Sequence, residues 1–446
     1  MTDTLDALIT KITGADANNF RLVSATLSAF LKQDDAENIL RGTIQTGQDP
    51  LRVLSPSTTT LAYLYILSSR LSASGNGGVH PSYIAEFCQS FDPTAARFAP
   101  ERITKLARLI VKYSESIRNP PFAILPLYHL VSRYPPSPAY LTTIHPIFLL
   151  SCITGTHLSA ALPILSTPIS QIDLLLSDLD YNDNLQYHYL GGVIFGALKR
   201  YEEAEDFLET AVSSPAHSPS AIQLEAYKKL ILIQLIRHGK TIPPPKYTNT
   251  ALTKQMKAIP QYAAIVRHYP TLKGPLQEVL AKEINFFREE GNFGLLTVAI
   301  NHARRWALKN LNKTYLSLSL HQVASYIGFS NEDEARELVL SMVEDGTLSA
   351  TLSPDGTLTF LEETLDSSAF APEAVESMLR QAQDSGELLT ELNMSIMKSR
   401  ELLTKALKEK EASSGYAAAG SPGYDEEPDI WTGGRSGRRV DGLFDD

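Results

Sequence analysis

The sequence predicts an all-α solenoid of short helical repeats, then a small winged-helix module, then one long C-terminal helix. Three observations carry that reading. From Leu5 to about residue 285 the chain is a series of short amphipathic segments divided by turn residues, with almost no strand-like alternation. From about 286 to 362 the order becomes helix, strand, helix, helix, strand, turn, strand. From Pro372 to about Ala412 apolar residues recur at the seven-residue spacing of a packed helix seam.

In the first part, Leu22, Leu27, Phe30 and Leu31 outline one apolar stripe, and Leu61, Leu64, Tyr65 and Leu71 another, at spacings suited to a helix face. Breaks fall at Ser74 to Gly78, at Asn119-Pro120-Pro121, at Tyr134 to Pro138 and at Ile242-Pro243-Pro244-Pro245. One segment decides solenoid over bundle. Gly192, Phe195, Ala204, Leu208, Ala211 and Pro215 sit close to the small/aromatic/small pattern of a tetratricopeptide-like hairpin. The small residues let two antiparallel helices approach, Phe195 and Leu208 fill the gap, and Pro215 cannot continue the hydrogen-bond ladder.

The winged module starts with an amphipathic basic helix over Leu295 to Leu311. Leu296, Ile300, Ala303 and Leu308 lie on one side, with Arg304, Arg305 and Lys309 on a solvated face. Tyr315 to Leu318 reads as a short strand, and Leu320 to Ile327 as a helix. In the next helix, Ser330 precedes Asp333 at capping-box spacing. Ala335, Leu338, Val339, Met342 and Val343 form its apolar face, and Gly346 closes it. Two alternating strands follow, Leu348 to Leu352 and Thr357 to Phe360. The turn Ser353 to Gly356 between them has proline to fix φ and glycine to accept a positive one.

The C-terminal helix, expected over 372–412, places Val375, Ala382, Leu389, Ile396 and Leu403 on one seam, joined by Met378, Leu392 and Ala406 and widened by Leu388 and Leu402. The tail 413–446 is rich in glycine, mixed in charge and without periodicity, the composition of a disordered segment.

Composition narrows the function. With 43% hydrophobic residues in 446 the chain can bury a large core. Its net charge of −10 argues against general affinity for nucleic acid or anionic membrane. Cys88 and Cys152, far apart in sequence, read as reduced core residues of an intracellular protein. The acidic N-terminus lacks the basic start and apolar run of a signal peptide. Apolar runs such as Ile147 to Ile153 and Leu230 to Ile236 fall far short of the roughly 18 residues a membrane span needs.

No chemistry is legible. There is no His-x-His, His-Glu-x-x-His, Cys-x-x-Cys or phosphate-binding Gly-x-x-x-x-Gly-Lys. His129 and His145 stand near prolines as packed residues, neither cysteine lies in a nucleophile motif, and pairs such as Glu202-Glu203 suit solvated helix faces. Hence no catalytic residue, metal or cofactor is expected. A winged helix can read DNA with its third helix. Here that helix carries Glu332, Asp333, Glu334, Glu337, Glu344 and Asp345 against Arg336, and would repel phosphates. Nucleic-acid binding is therefore the alternative from another class, and a stand-alone enzyme has no constellation behind it.

The run Tyr315 to Leu320, then Val323-Ala324, Ile327-Gly328-Phe329, Glu334-Ala335, Leu338-Val339 and Met342 to Gly346, finishing with Leu348 to Ala350 and Leu358 to Phe360, resembles the PCI-domain family. That family is shared by the proteasome lid, the COP-9 signalosome and a translation initiation complex, and the resemblance puts the PCI region at about 190–362. A second stretch, Tyr187 to Phe195 with Leu224 to Lys229, Gly239-Lys240 and Pro245 to Thr248, is similar to the third-subunit family of the signalosome. The equivalent proteasome-lid subunits remain the alternative.

The resemblance implies a non-catalytic scaffold subunit of the complex that removes the ubiquitin-like modifier NEDD8 from cullins of cullin-RING ligases. The isopeptidase would be a zinc enzyme in a different subunit. Partners would be other signalosome subunits, the first and eighth as neighbours, and indirectly cullin-RING ligases. No nucleic acid or membrane partner is implied, and the expected compartments are cytoplasm and nucleus. Two contacts are expected. One is the uncharged wing edge, with Ser349, Thr351, Thr357 and Thr359 facing outward, open to an added strand. The other is the seam of Val375, Ala382, Leu389, Leu392, Ile396 and Leu403, which has no partner in its own chain and suits a mixed helical bundle.

Overall fold

Proline starts many of the helices. Pro81–Ser90, Pro100–Ser116 and Pro260–His268 each carry it in the first turn, where its missing N–H would have no helical acceptor. A computed structural model describes residues 5–408 apart from 15–19, 34, 45–46, 74–77, 271–282, 330, 362–371, 401 and 406. It divides into two units, Met1–Leu361 and Glu362–Asp446.

In the first unit, helix follows helix through residue 268. Among the described residues the strand content before the winged module is a two-residue parallel pairing, β1 (Tyr140–Leu141) on β2 (Gln171–Ile172). Thr60–Leu71 is buried at every position, with polar Ser68 bonded to the Tyr65 carbonyl and Arg70 to Asp49. Phe20–Phe30 corrects its expected stripe: Val23, Leu27 and Phe30 are buried while Leu22 is 54% exposed. One residue is a turn of about 100° on a helix, so the true i, i+4, i+7 face begins one position later. The glycine-rich break at 74–77 lies outside the described residues.

Tyr181–Ala197 and Tyr201–Ser213 form the hairpin read from the sequence. A β-carbon on Gly192 would lie 2.6 Å from Leu208 Cγ, so the helices meet as closely as the small residues allow. Ala221–His238 packs next to it, followed by Thr250–Lys257 and Pro260–His268. Its cap is a reciprocal Ser220–Gln223 box, and Gly239 ends it at φ +70°.

Phe293–Asn312, 20 residues and about 30 Å long, belongs to two cores. Leu296 and Ala303 are buried with Ile231, Leu232 and Leu235 of the repeats. Leu308 is buried with Leu318, Val323, Val339, Leu358 and Phe360 of the winged module. The module then runs β3 (Ser317–Ser319), Leu320–Ile327, Glu332–Glu344, β4 (Ala350–Leu352) and β5 (Thr357–Phe360), with sheet order β3-β5-β4 and both pairings antiparallel.

Two local readings change. The acidic helix is capped by Asn331, whose side chain accepts from the Asp333 N–H at 3.2 Å, while Ser330 lies outside the described residues. A capping box does occur one helix earlier, where Ser319 and Gln322 bond reciprocally.

The second unit holds one long helix, Pro372–Lys398, 27 residues or about 40 Å. It does not continue unbroken to Ala412. The Ser399 N–H bonds to the Ile396 carbonyl at 3.0 Å, one residue short of the α-helical acceptor. Its Oγ then accepts from Leu402 N–H at 3.3 Å, starting a separate turn. Ala406 and the tail 413–446 lie outside the described residues.

Candidate assembly surfaces

The repeats hold the winged module through a buried polar joint. Lys228 Nζ donates to Glu225 at 2.7 Å and to Glu290 at 2.5 Å. Glu290 also accepts from the Tyr262 hydroxyl, which accepts from Asn292 Nδ2, both at 2.9 Å. Burial opposes charge on Lys228, but the two carboxylates outweigh it and hold its ammonium above the ordinary lysine range. Further along, the Trp306 indole N–H donates to the Ile236 carbonyl at 2.9 Å.

The joint presents the wing sheet. Ser349 and Thr351 are exposed, while Thr357 and Thr359 are half-buried. The expectation of one edge shared by both strands needs correction. β5, with Thr357 and Thr359, is central and bonded on both sides, so its main chain is not open to an added strand. β3 and β4 are the two outer strands, and Ser349 and Thr351 lie on the β4 side. Leu361 N–H bonds to the Ser349 carbonyl and Ser353 N–H to the Thr357 carbonyl, both at 2.9 Å. By antiparallel alternation Thr351 therefore faces β5, and Ala350 and Leu352 turn their N–H and C=O groups outward. The unpaired groups belong to residues whose side chains point inward, a relation that alternation of side chains does not reveal.

The helix Glu332–Glu344 exposes Glu332, Asp333, Glu334 and Glu337. The basic residues behind it make contacts within the module while staying at its surface, Arg304 exposed and Arg305 and Lys309 half-buried. Arg304 lies 4.7 Å from the Phe329 ring centre, Lys309 sits over Trp306, and Arg305 reaches Asp345 at 2.9 Å.

On the C-terminal helix, Val375, Ala382, Leu389, Leu392 and Ile396 are exposed, as are Met378 and Leu388. Leu403 is exposed beyond the break at Ser399. Leu379, Met394 and Met397 add apolar surface that strict seven-residue counting passes over; a 3.6-residue period would have found Leu379 and Met397 beside the seam.

Cys88, Cys152 and His145 are packed away. Burial pushes both thiols up, that of Cys152 to about 12, so neither is a thiolate near neutral pH. Burial pulls the His145 imidazole down to about 4 against the Thr142 backbone bond. Among the described residues no group of three or more His, Cys, Asp and Glu is placed to hold a metal ion, and no helix is long and apolar enough to cross a membrane.

Helical repeats running into a winged helix, with an open strand edge and an exposed apolar helix, define a protein of the PCI class. A family profile described as PCI domain matches residues 276–362, and one described as "COP9 signalosome complex subunit 3, N-terminal helical repeats" matches residues 24–252. COP9 signalosome complex subunit 3 of Arabidopsis thaliana is 30% identical over 368 residues, 81% of this chain and 83% of that protein. The protein of the same name from Dictyostelium discoideum is 28% identical over 321 residues, 70% of this chain and 76% of its own length. The chain belongs to the COP9 signalosome subunit 3 family.

Proposed function

We propose that this chain is a non-catalytic scaffold subunit of a signalosome that removes NEDD8 from cullins of cullin-RING ligases. It binds the other subunits, the first and eighth as neighbours, through the β4 edge and the C-terminal helix, in cytoplasm and nucleus. The observation that carries the reading is the apolar surface of Pro372–Lys398, where Leu379, Leu389, Leu392, Ile396 and Met397 are each at least half exposed. Exposed apolar strips of this kind mark interaction sites, and the family matched by the helical repeats names a multisubunit complex.

Reconstitution with the remaining signalosome subunits, read by native mass spectrometry, tests it. Wild-type chain should enter the full complex. Leu389→Asp with Ile396→Asp should drop out, because burying each charge costs several kcal/mol, while the repeats and winged module keep their melting transition. Full assembly of the double variant would remove the helix from the interface. Cleavage of neddylated cullin by the isolated chain would refute the non-catalytic role.

A further inference from the structure

Neither assembly surface uses the extended stretch 241–248. Pro243, Pro244 and Pro245 there form one wall of an open groove of about 630 Å³, within the usual size of a ligand site. The floor is apolar, made by Ile231, Met256, Ala263 and Val266 with the rings of Tyr227 and Tyr262. Lys246, Lys257 and Arg267 line it as exposed cations; among the described residues no carboxylate lines it and none of the three is in an ion pair. In a chain of net charge −10 that is a local reversal of sign around an apolar surface.

We propose that this groove binds an extended acidic segment of a partner protein. An aliphatic or aromatic side chain of that segment sits on the floor, and its carboxylates meet Lys246, Lys257 and Arg267. The three cations come from a loop and from the last turns of two helices, so carboxylates spaced along a chain can reach them together. A lone phosphate would leave the floor uncovered. The prolines hold their wall extended before binding and offer no N–H to pair with a strand, so recognition runs through side chains. Ile242, which lines the groove and is 42% exposed, gives it further apolar contact.

The inference does not depend on assembly and is read on the full chain alone. A random-peptide display library is selected on the immobilised protein, and a synthetic copy of the most enriched peptide is titrated by fluorescence anisotropy. Enriched sequences should pair an apolar anchor with two or more acidic residues. Affinity should weaken with added salt and fall about tenfold or more in Lys257→Glu with Arg267→Glu. Lys246→Glu should weaken it independently. These side chains are exposed, so unchanged thermal melts verify the fold. Absence of enrichment, enriched peptides without acidic residues, or equal binding to wild type and variants would each overturn the proposal. Competition by inorganic phosphate beyond the effect of matched chloride would make the site one for free phosphate instead.

Discussion

The Trp306 indole covers Gly239 so closely that a β-carbon on the glycine would lie 2.6 Å from Cδ2 of the ring. The glycine ends a helix of the repeats, and the tryptophan stands on the helix leading into the winged module. Nothing larger than hydrogen fits between them, and φ at Gly239 is +70°.

Gly239→Ala should therefore be destabilising on two counts, about 1 kcal/mol for the left-handed backbone and about 1–3 kcal/mol for overpacking against the ring. Chemical denaturation at neutral pH measures it. A change under about 0.5 kcal/mol would mean that the indole moves aside freely.

The buried joint predicts a larger loss. Lys228 is 6% exposed between Glu225 and Glu290. Replacing it with methionine keeps the shape but leaves Glu290 without its cation and Glu225 with Lys229 alone. About 3 kcal/mol should be lost, in the range for breaking a buried pair. Lys228→Met with Glu290→Gln should recover part of that, and a double-mutant cycle reads the coupling.

His145 makes stability depend on pH. Its folded pKa of about 4 lies below the unfolded value of about 6.5, so between those values the unfolded chain binds the extra proton. The contribution is present above pH 6.5 and is lost as pH falls toward 4, about 3 kcal/mol at most. Denaturation curves of wild type and His145→Gln should differ in slope against pH across that window and run parallel above it.

Amide exchange tests the sheet edge without altering it. In the isolated chain the N–H of Thr351, turned toward β5, should be protected, while those of Ala350 and Leu352 exchange quickly. On assembly the latter two should slow. If their rates do not change in the reconstituted complex, no neighbour adds a strand there.

Much of this was legible in the sequence because side-chain periodicity carries it. The hairpin around Gly192 and Leu208, the helix Leu320–Ile327 and strand β5 fall where spacing put them. What periodicity cannot carry is pairing order. Thr357 and Thr359 have the same outward, uncharged pattern as Ser349 and Thr351, yet their strand lies between two others. The Ser399 break was hidden for another reason: serine is tolerated in a helix, and the interruption shows in two hydrogen bonds, from its N–H to the Ile396 carbonyl and to its side chain from Leu402 N–H. The polar joint of Lys228, Tyr262, Glu290 and Asn292 joins residues up to 62 positions apart, beyond any local pattern.

The helix Phe293–Asn312 also bears on how the winged module can be cut out or inherited. Cloning the chain from residue 286 onward would keep the whole wing but bare Leu296, Ala299 and Ala303, which in the intact chain lie buried at one per cent exposure or less. Such a fragment would carry an apolar stripe from another core into water and would clump or bind chaperones. The winged module is therefore not a portable cassette. A workable excision takes Ala221–His238 with it, and a recombination event that swapped the module alone would have to invent a new cover for that stripe.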